Sequence, residues 1–155
     1  MIIREDLIGI GEPAPPAMLD YATHAKARSL YNTPPTFAVY VAGLVFQWLL
    51  ENGGLVAAEE RNIAKARLLY DYIDGSDFYL NPVDKADRSR MNVPFRLANT
   101  ELEADFLAGA ATNNMVELKG HRSVGGVRAS LYNAMPIEGV QALVDYMADF
   151  EAKKG

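Results

Sequence analysis

A chain of 155 residues, half of them apolar, has the length of one ordinary domain and enough apolar side chains for a real core, which excludes a disordered chain. Its net charge is -5 at pH 7, with charges of both signs scattered along it, so composition supports neither a nucleic-acid surface nor a polybasic membrane contact. Cysteine is absent, which excludes disulfides and thiolate metal sites, and the only histidines, His24 and His121, lack the short spacing of a metal site.

Taken in order, Ile2-Ile3 reads as a short strand before an acidic turn, as if the chain began inside a sheet. The first residues lack the basic-then-apolar pattern of a secretory signal, and the apolar stretch from Phe37 to Leu50 is shorter than a membrane span and contains Gln47. A cytoplasmic protein is the expectation. Pro13, Pro15 and Pro16 impose extended backbone, Met18 to Tyr21 offers a brief strand, and His24, Lys26 and Arg28 read as charges on a connection.

Pro34 and Pro35 suit the first turn of a helix, with Thr33 before them as N-cap. Phe37, Tyr40, Val41, Leu44, Trp48 and Leu49 then form one broad apolar face up to Asn52-Gly53-Gly54. A helix start favours anions, although Asn32 and Thr33 also read as plain caps. A second helix is expected from Leu55 to Asp74, burying Leu55, Ala58, Ile63, Ala66, Leu69, Tyr70 and Ile73 and leaving Glu59, Glu60, Arg61, Lys65 and Arg67 solvated.

Phe78 to Leu80 and Met91 to Leu97 read as strands of one sheet, the latter an edge or bulged strand because of Pro94. Arg88 and Arg90 are expected to pair with Asp84 and Asp87. Thr100 and Glu103 have capping-box spacing for a helix toward residue 110, and Val116 to Leu118 reads as a strand. The last helix carries Val140, Leu143, Val144, Met147 and Phe150 as its apolar stripe, with Glu138 in its first turn and Lys153-Lys154 in its last. The expected fold is α/β, a small and mainly antiparallel sheet covered by helices.

Between these elements lies Lys119-Gly120-His121-Arg122-Ser123-Val124-Gly125-Gly126-Val127-Arg128, basic and glycine-rich in an acidic chain. Arg128, at a strand entrance, can grip a carboxylate through two parallel hydrogen bonds, and His121 and Arg122 beside the Gly125-Gly126 bend can close on a second anion such as a phosphate. The implied ligand is small, with two anionic ends. The same residues also read as solvated charge around an ordinary turn.

Three stretches resemble the phosphoserine aminotransferase family: Tyr31 to Thr36, Ser89 to Phe95, and Gly120 to Pro136. The resemblance runs from Ile3 to the C-terminus. It implies a fold-type I, pyridoxal 5'-phosphate-dependent homodimer that interconverts 3-phosphohydroxypyruvate plus glutamate with O-phosphoserine plus 2-oxoglutarate, in serine and pyridoxine biosynthesis. It implies further that residues 1–50 are a large-domain remnant with an interdomain helix and residues 51–155 the C-terminal small domain. Asn32 and Thr33 would reach the cofactor phosphate of the other subunit, His121 and Arg122 the substrate phosphate or distal carboxylate of glutamate, and Arg128 the α-carboxylate. No catalytic residue is assigned, because none of the lysines, Lys26, Lys65, Lys85, Lys119, Lys153 and Lys154, has the context of the family's Schiff-base lysine. The expectation is a truncated or cleaved chain, inactive alone and needing the missing N-terminal portion. The alternative is a stand-alone, non-catalytic module that binds a small phosphorylated metabolite.

Overall fold

A computed structural model describes residues 2–11 and 15–155. It divides into two compact units, residues 1–48 and Leu49–Gly155. Pro13 lies outside the described residues.

The first unit departs from expectation locally. Ile2 and Ile3 form no strand, and Glu5–Leu7 is a single 3-10 turn. Met18 and Leu19 belong to a second 3-10 turn, Ala17–Leu19, and Tyr21 opens a helix, α1 (Tyr21–Lys26). The cause is Asp20. Its carboxylate accepts the backbone N–H groups of Ala22 (2.9 Å) and Thr23 (3.2 Å) and the Thr23 hydroxyl (2.8 Å), the N-cap geometry that starts a helix where β pattern alone suggested a strand. The Thr23 hydroxyl bond, then the bond from Ala22, holds the Asp20 carboxyl below its ordinary range.

Helix α2 (Thr36–Glu51) begins one residue after Pro35, which leaves Thr33 ahead of the capping position; the Thr36 hydroxyl instead donates to the Pro34 carbonyl at 3.3 Å. Its expected core face is not buried. Phe37 is 79 % exposed and Trp48 42 %, and Val39, Phe46 and Leu50 on other sides of the helix are exposed as well. Periodicity marked α2 as apolar without saying what covers it. Among the described residues, no single helix is long and apolar enough to cross a membrane.

The second unit is a three-stranded antiparallel sheet in the order β1 (Tyr79–Leu80), β2 (Asn92–Leu97), β3 (Val127–Ser130), packed by α3 (Gly54–Asp74), α4 (Glu103–Thr112) and α5 (Ile137–Lys154). Tyr79, Phe95, Phe106, Leu69, Ile73 and Met147 are fully buried at its centre. The Phe106 ring meets those of Phe95, Tyr79 and Phe150 at 6.0, 6.0 and 5.2 Å, edge-on, the arrangement aromatic quadrupoles favour. All five stripe residues of α5 are buried. On α3, Leu55 (80 %) and Ile63 (37 %) are exposed, and Lys65, expected in solvent, is buried.

Pro94 sits in the central strand, and it is tolerated for a local reason. The β1–β2 ladder covers only Tyr79↔Leu97 and Leu80↔Arg96, so β1 has ended before it reaches Pro94. No ladder donor is needed there. The Pro94 carbonyl is met by the Asn81 side-chain amide at 2.7 Å. A 3-10 turn, Thr100–Leu102, precedes α4, and its cap is Asn99 rather than Thr100, accepting the Glu101 N–H at 3.1 Å. Residues 116–118 form no strand, because Glu117 bends the backbone at φ +62°; one bridge joins Lys119 to Val127.

Candidate substrate-anchoring site

Strand alternation decides which side chains reach solvent. Val127 and Ala129 of β3, and Val93, Phe95 and Leu97 of β2, point into the core. That leaves Arg128 of β3 and Asn92 and Arg96 of β2 exposed on the opposite face of the sheet. Arg128 lies across from Pro94, and the neighbouring Ser130 hydroxyl donates to Asn92 Oδ1 at 3.3 Å. A guanidinium rooted in a strand that is buried on its other face is held in direction, which suits bidentate capture of a carboxylate.

The basic loop leading into β3 closes on itself. The Arg128 N–H donates to the Leu118 carbonyl (2.7 Å) and the Gly120 N–H to the Gly126 carbonyl (2.8 Å). At the tip, the His121 carbonyl accepts the N–H groups of Val124 (2.9 Å) and Gly125 (2.8 Å). Glycine is required at both ends of this closure. A Cβ at Gly120 would lie 2.0 Å from the Gly125 carbonyl oxygen, and Gly126, at φ +69°, would place one 2.8 Å from the Phe95 oxygen.

With the backbone turned inward, the side chains of His121, Arg122 and Ser123 are exposed. The Ser123 N–H donates to His121 Nδ1 (3.3 Å) and the Ser123 hydroxyl is 2.7 Å from the same nitrogen. A neutral imidazole therefore carries its proton on Nε2, where it can donate to an anion. The structure thus brings His121, Arg122 and Arg128 together on one loop and the strand that follows it.

Beside Arg128 opens a cavity of about 580 Å³, lined among others by Met115, Leu118, Leu131, Tyr132 and Val140. Its wall of residues 113–118 includes Asn114 and Glu117, both at φ +62°. Tyr132 and Met135 on another side are held from α3: the buried Lys65 ammonium donates to their carbonyls at 2.7 and 3.1 Å, and Asn62 donates to Asn133 Oδ1 at 2.7 Å. Burial, with Arg61 nearby, pushes the Lys65 pKa down. Arg88 and Arg90 are likewise fasteners, though not to Asp84 and Asp87. Arg88 makes two 2.8 Å bonds to Asp74 and lies over the Tyr70 ring, and Arg90 pairs with Glu59.

Asn32 and Thr33 belong to the first unit, where both are exposed; the Asn32 amide is 3.6 Å from Met18 Sδ. An amide and a hydroxyl of this kind are the donors a phosphate needs. Sequence reading overlooked Lys65 and Arg96. Lys65 hid among the charges of α3, and only the outward alternation of β2 hints at Arg96.

The family model for class-V aminotransferases matches residues 7–143. The chain is 57 % identical over 155 residues to the phosphoserine aminotransferase of Aromatoleum aromaticum, covering all of this chain and 42 % of that protein. A solved phosphoserine aminotransferase from Bacillus circulans subsp. alkalophilus superposes with a TM-score of 0.91 at 48 % identity, over 99 % of this chain and 43 % of the other. One from Trichomonas vaginalis, solved with PLP bound, gives 0.80 at 41 % identity over 88 % of this chain and 39 % of the other. This chain therefore spans less than half the length of the relatives it matches.

Proposed function

The chain belongs to the aminotransferase class-V family, and we propose that it is the substrate-anchoring, C-terminal part of a phosphoserine aminotransferase. The observation that carries this reading is the pairing of a closed loop bearing His121 and Arg122 with Arg128 on the exposed face of the sheet that the loop enters. In this reading Arg128 takes the α-carboxylate of the amino acid. His121 and Arg122 take the phosphate of O-phosphoserine or the distal carboxylate of glutamate, so one site serves both partners of an exchange with 3-phosphohydroxypyruvate and 2-oxoglutarate.

Pyridoxal phosphate, when bound, supplies the electron sink for moving the amino group. Asn32 and Thr33 fit its phosphate by donor chemistry and are assigned to the cofactor of a second subunit in a homodimer. The amine that such chemistry also needs is assigned outside these 155 residues. Lys65 is spent on two carbonyls, Lys85, Lys153 and Lys154 are ion-paired with Asp74, Asp149 and Asp105, Lys119 sits in a strand bridge and Lys26 ends α1. A cytoplasmic setting goes with this reading.

Calorimetric titration of the chain with O-phosphoserine tests it: binding is expected, and Arg128→Ala should weaken it at least tenfold, the loss of a bidentate charged contact. Full-rate transamination by the chain alone, or trapping of one of its lysines by borohydride in the presence of pyridoxal phosphate, would overturn the assignment of the amine elsewhere. The second reading, a non-catalytic module that senses a small phosphorylated metabolite, draws on one observation: the anion loop is closed by bonds within its own unit. Retained phosphoserine binding with no transamination after the rest of an aminotransferase is supplied would favour it.

A further inference from the structure

The loop that presents His121 and Arg122 is fastened by one side chain from outside itself. Arg96 Nη2 donates to the Val124 carbonyl. The register explains how it reaches. Phe95 pairs with Val127, so the next residue of β2 lies beside Gly126, and Arg96 points to the outer face. A Cβ at Gly126 would come within 2.9 Å of Arg96 Cγ and 3.6 Å of its Nε. The stem of Arg96 therefore runs across the space where a side chain at 126 would stand, and its guanidinium emerges at Val124. The Val124 N–H in turn donates to the His121 carbonyl, so the contact lies one hydrogen bond from the residue that begins the anion-holding run.

We infer that Arg96 is a positioning residue: by crossing Gly126 to hold the Val124 carbonyl, it keeps the 121–126 loop in the closed form that aims His121 and Arg122 at a phosphate. The inference rests on the anion-site reading above and adds a residue to it. Arg96 acts through the loop backbone, and its effect is on phosphate affinity, the loop end of the ligand, more than on the carboxylate held by Arg128. A free loop must pay its ordering entropy when it binds; a fastened loop has already lost it.

The test uses the full chain with Arg96→Met, which keeps an unbranched apolar stem and removes the donor, Arg96→Lys, which restores one donor, and Arg67→Met, which removes the same charge from the exposed side of α3. Each is titrated with O-phosphoserine and with inorganic phosphate, following the His121 ring protons and the Val124 and Gly125 amides by NMR. Arg96→Met is expected to weaken phosphate binding about three- to tenfold and to speed exchange of those two amides, with the melting temperature little changed. Arg96→Lys should recover much of the loss, and Arg67→Met should not reproduce it. Unchanged affinity and amide exchange in Arg96→Met overturns the inference and leaves the anion site standing. Equal loss in Arg67→Met reduces the effect to net charge and also overturns it. Absence of phosphate binding by the unsubstituted chain removes the anion-site reading, and this inference with it.

Discussion

At the scale of single residues, charge is placed by what it pairs with, and the partners are seldom those nearest in sequence. Asp74 shows this. Arg88 bonds it through two nitrogens and Lys85 pairs with it at 3.0 Å, so its carboxyl is held down to about 2 from the ordinary 3.8, the Arg88 hydrogen bond being the larger cause. The folded state then binds fewer protons than the unfolded chain, and the contribution is complete above about pH 4 and fades as pH falls toward 2. Because Asp74 is partly solvated, about 1 kcal/mol is a fair magnitude after screening. Urea unfolding of the chain and of Asp74→Asn should differ by that amount at pH 7 and by progressively less as pH falls from about 4 through 2; a gap that stays constant with pH would refute the role of the charge. His121, Arg122 and Arg128 stood out in the sequence as basic residues within one short glycine-rich run. Arg96 did not, because its partner is a backbone carbonyl that only the loop's fold brings near.

At the scale of elements, α5 and the central strand follow their apolar periodicity, α2 is a helix whose apolar face is left exposed, and the capping residues and short segments differ from expectation. Asn99 caps where Thr100 was expected to, and Asp20 caps a helix where a strand was expected, since capping depends on backbone geometry that several polar neighbours could satisfy. Lys65 is the largest departure. A charged position on a helix reads as solvated until another element covers it, and here the turn before α5 covers it and supplies two carbonyls as compensation. Lys65→Met should therefore leave both carbonyls without that donor and lower stability by about 1–3 kcal/mol. Hydrogen exchange should rise first in the 132–136 turn. Unchanged stability together with unchanged exchange in that turn would contradict the fastening role.

At the scale of the whole molecule, the second unit has a single aromatic-centred core, whereas α2 exposes Phe37, Tyr40, Leu44, Phe46 and Trp48. Contiguous apolar surface of this kind drives association. The chain should self-associate at micromolar concentration, and Phe37→Glu with Phe46→Glu should shift light-scattering mass toward the monomer; a monomer at all concentrations would remove α2 as an interface.

The sequence by itself determined the helix count of the second unit's core, the inward side of α5, and the basic, glycine-rich run of the loop. Each of these is written in local periodicity or in residue types with few other uses. Tertiary structure alone decided that Pro94 stands in a central strand beyond the end of β1, that Lys65 is buried, and that Arg96 reaches the anion loop across Gly126. Each of those depends on where a distant segment comes to lie, and no pattern within the segment itself encodes it.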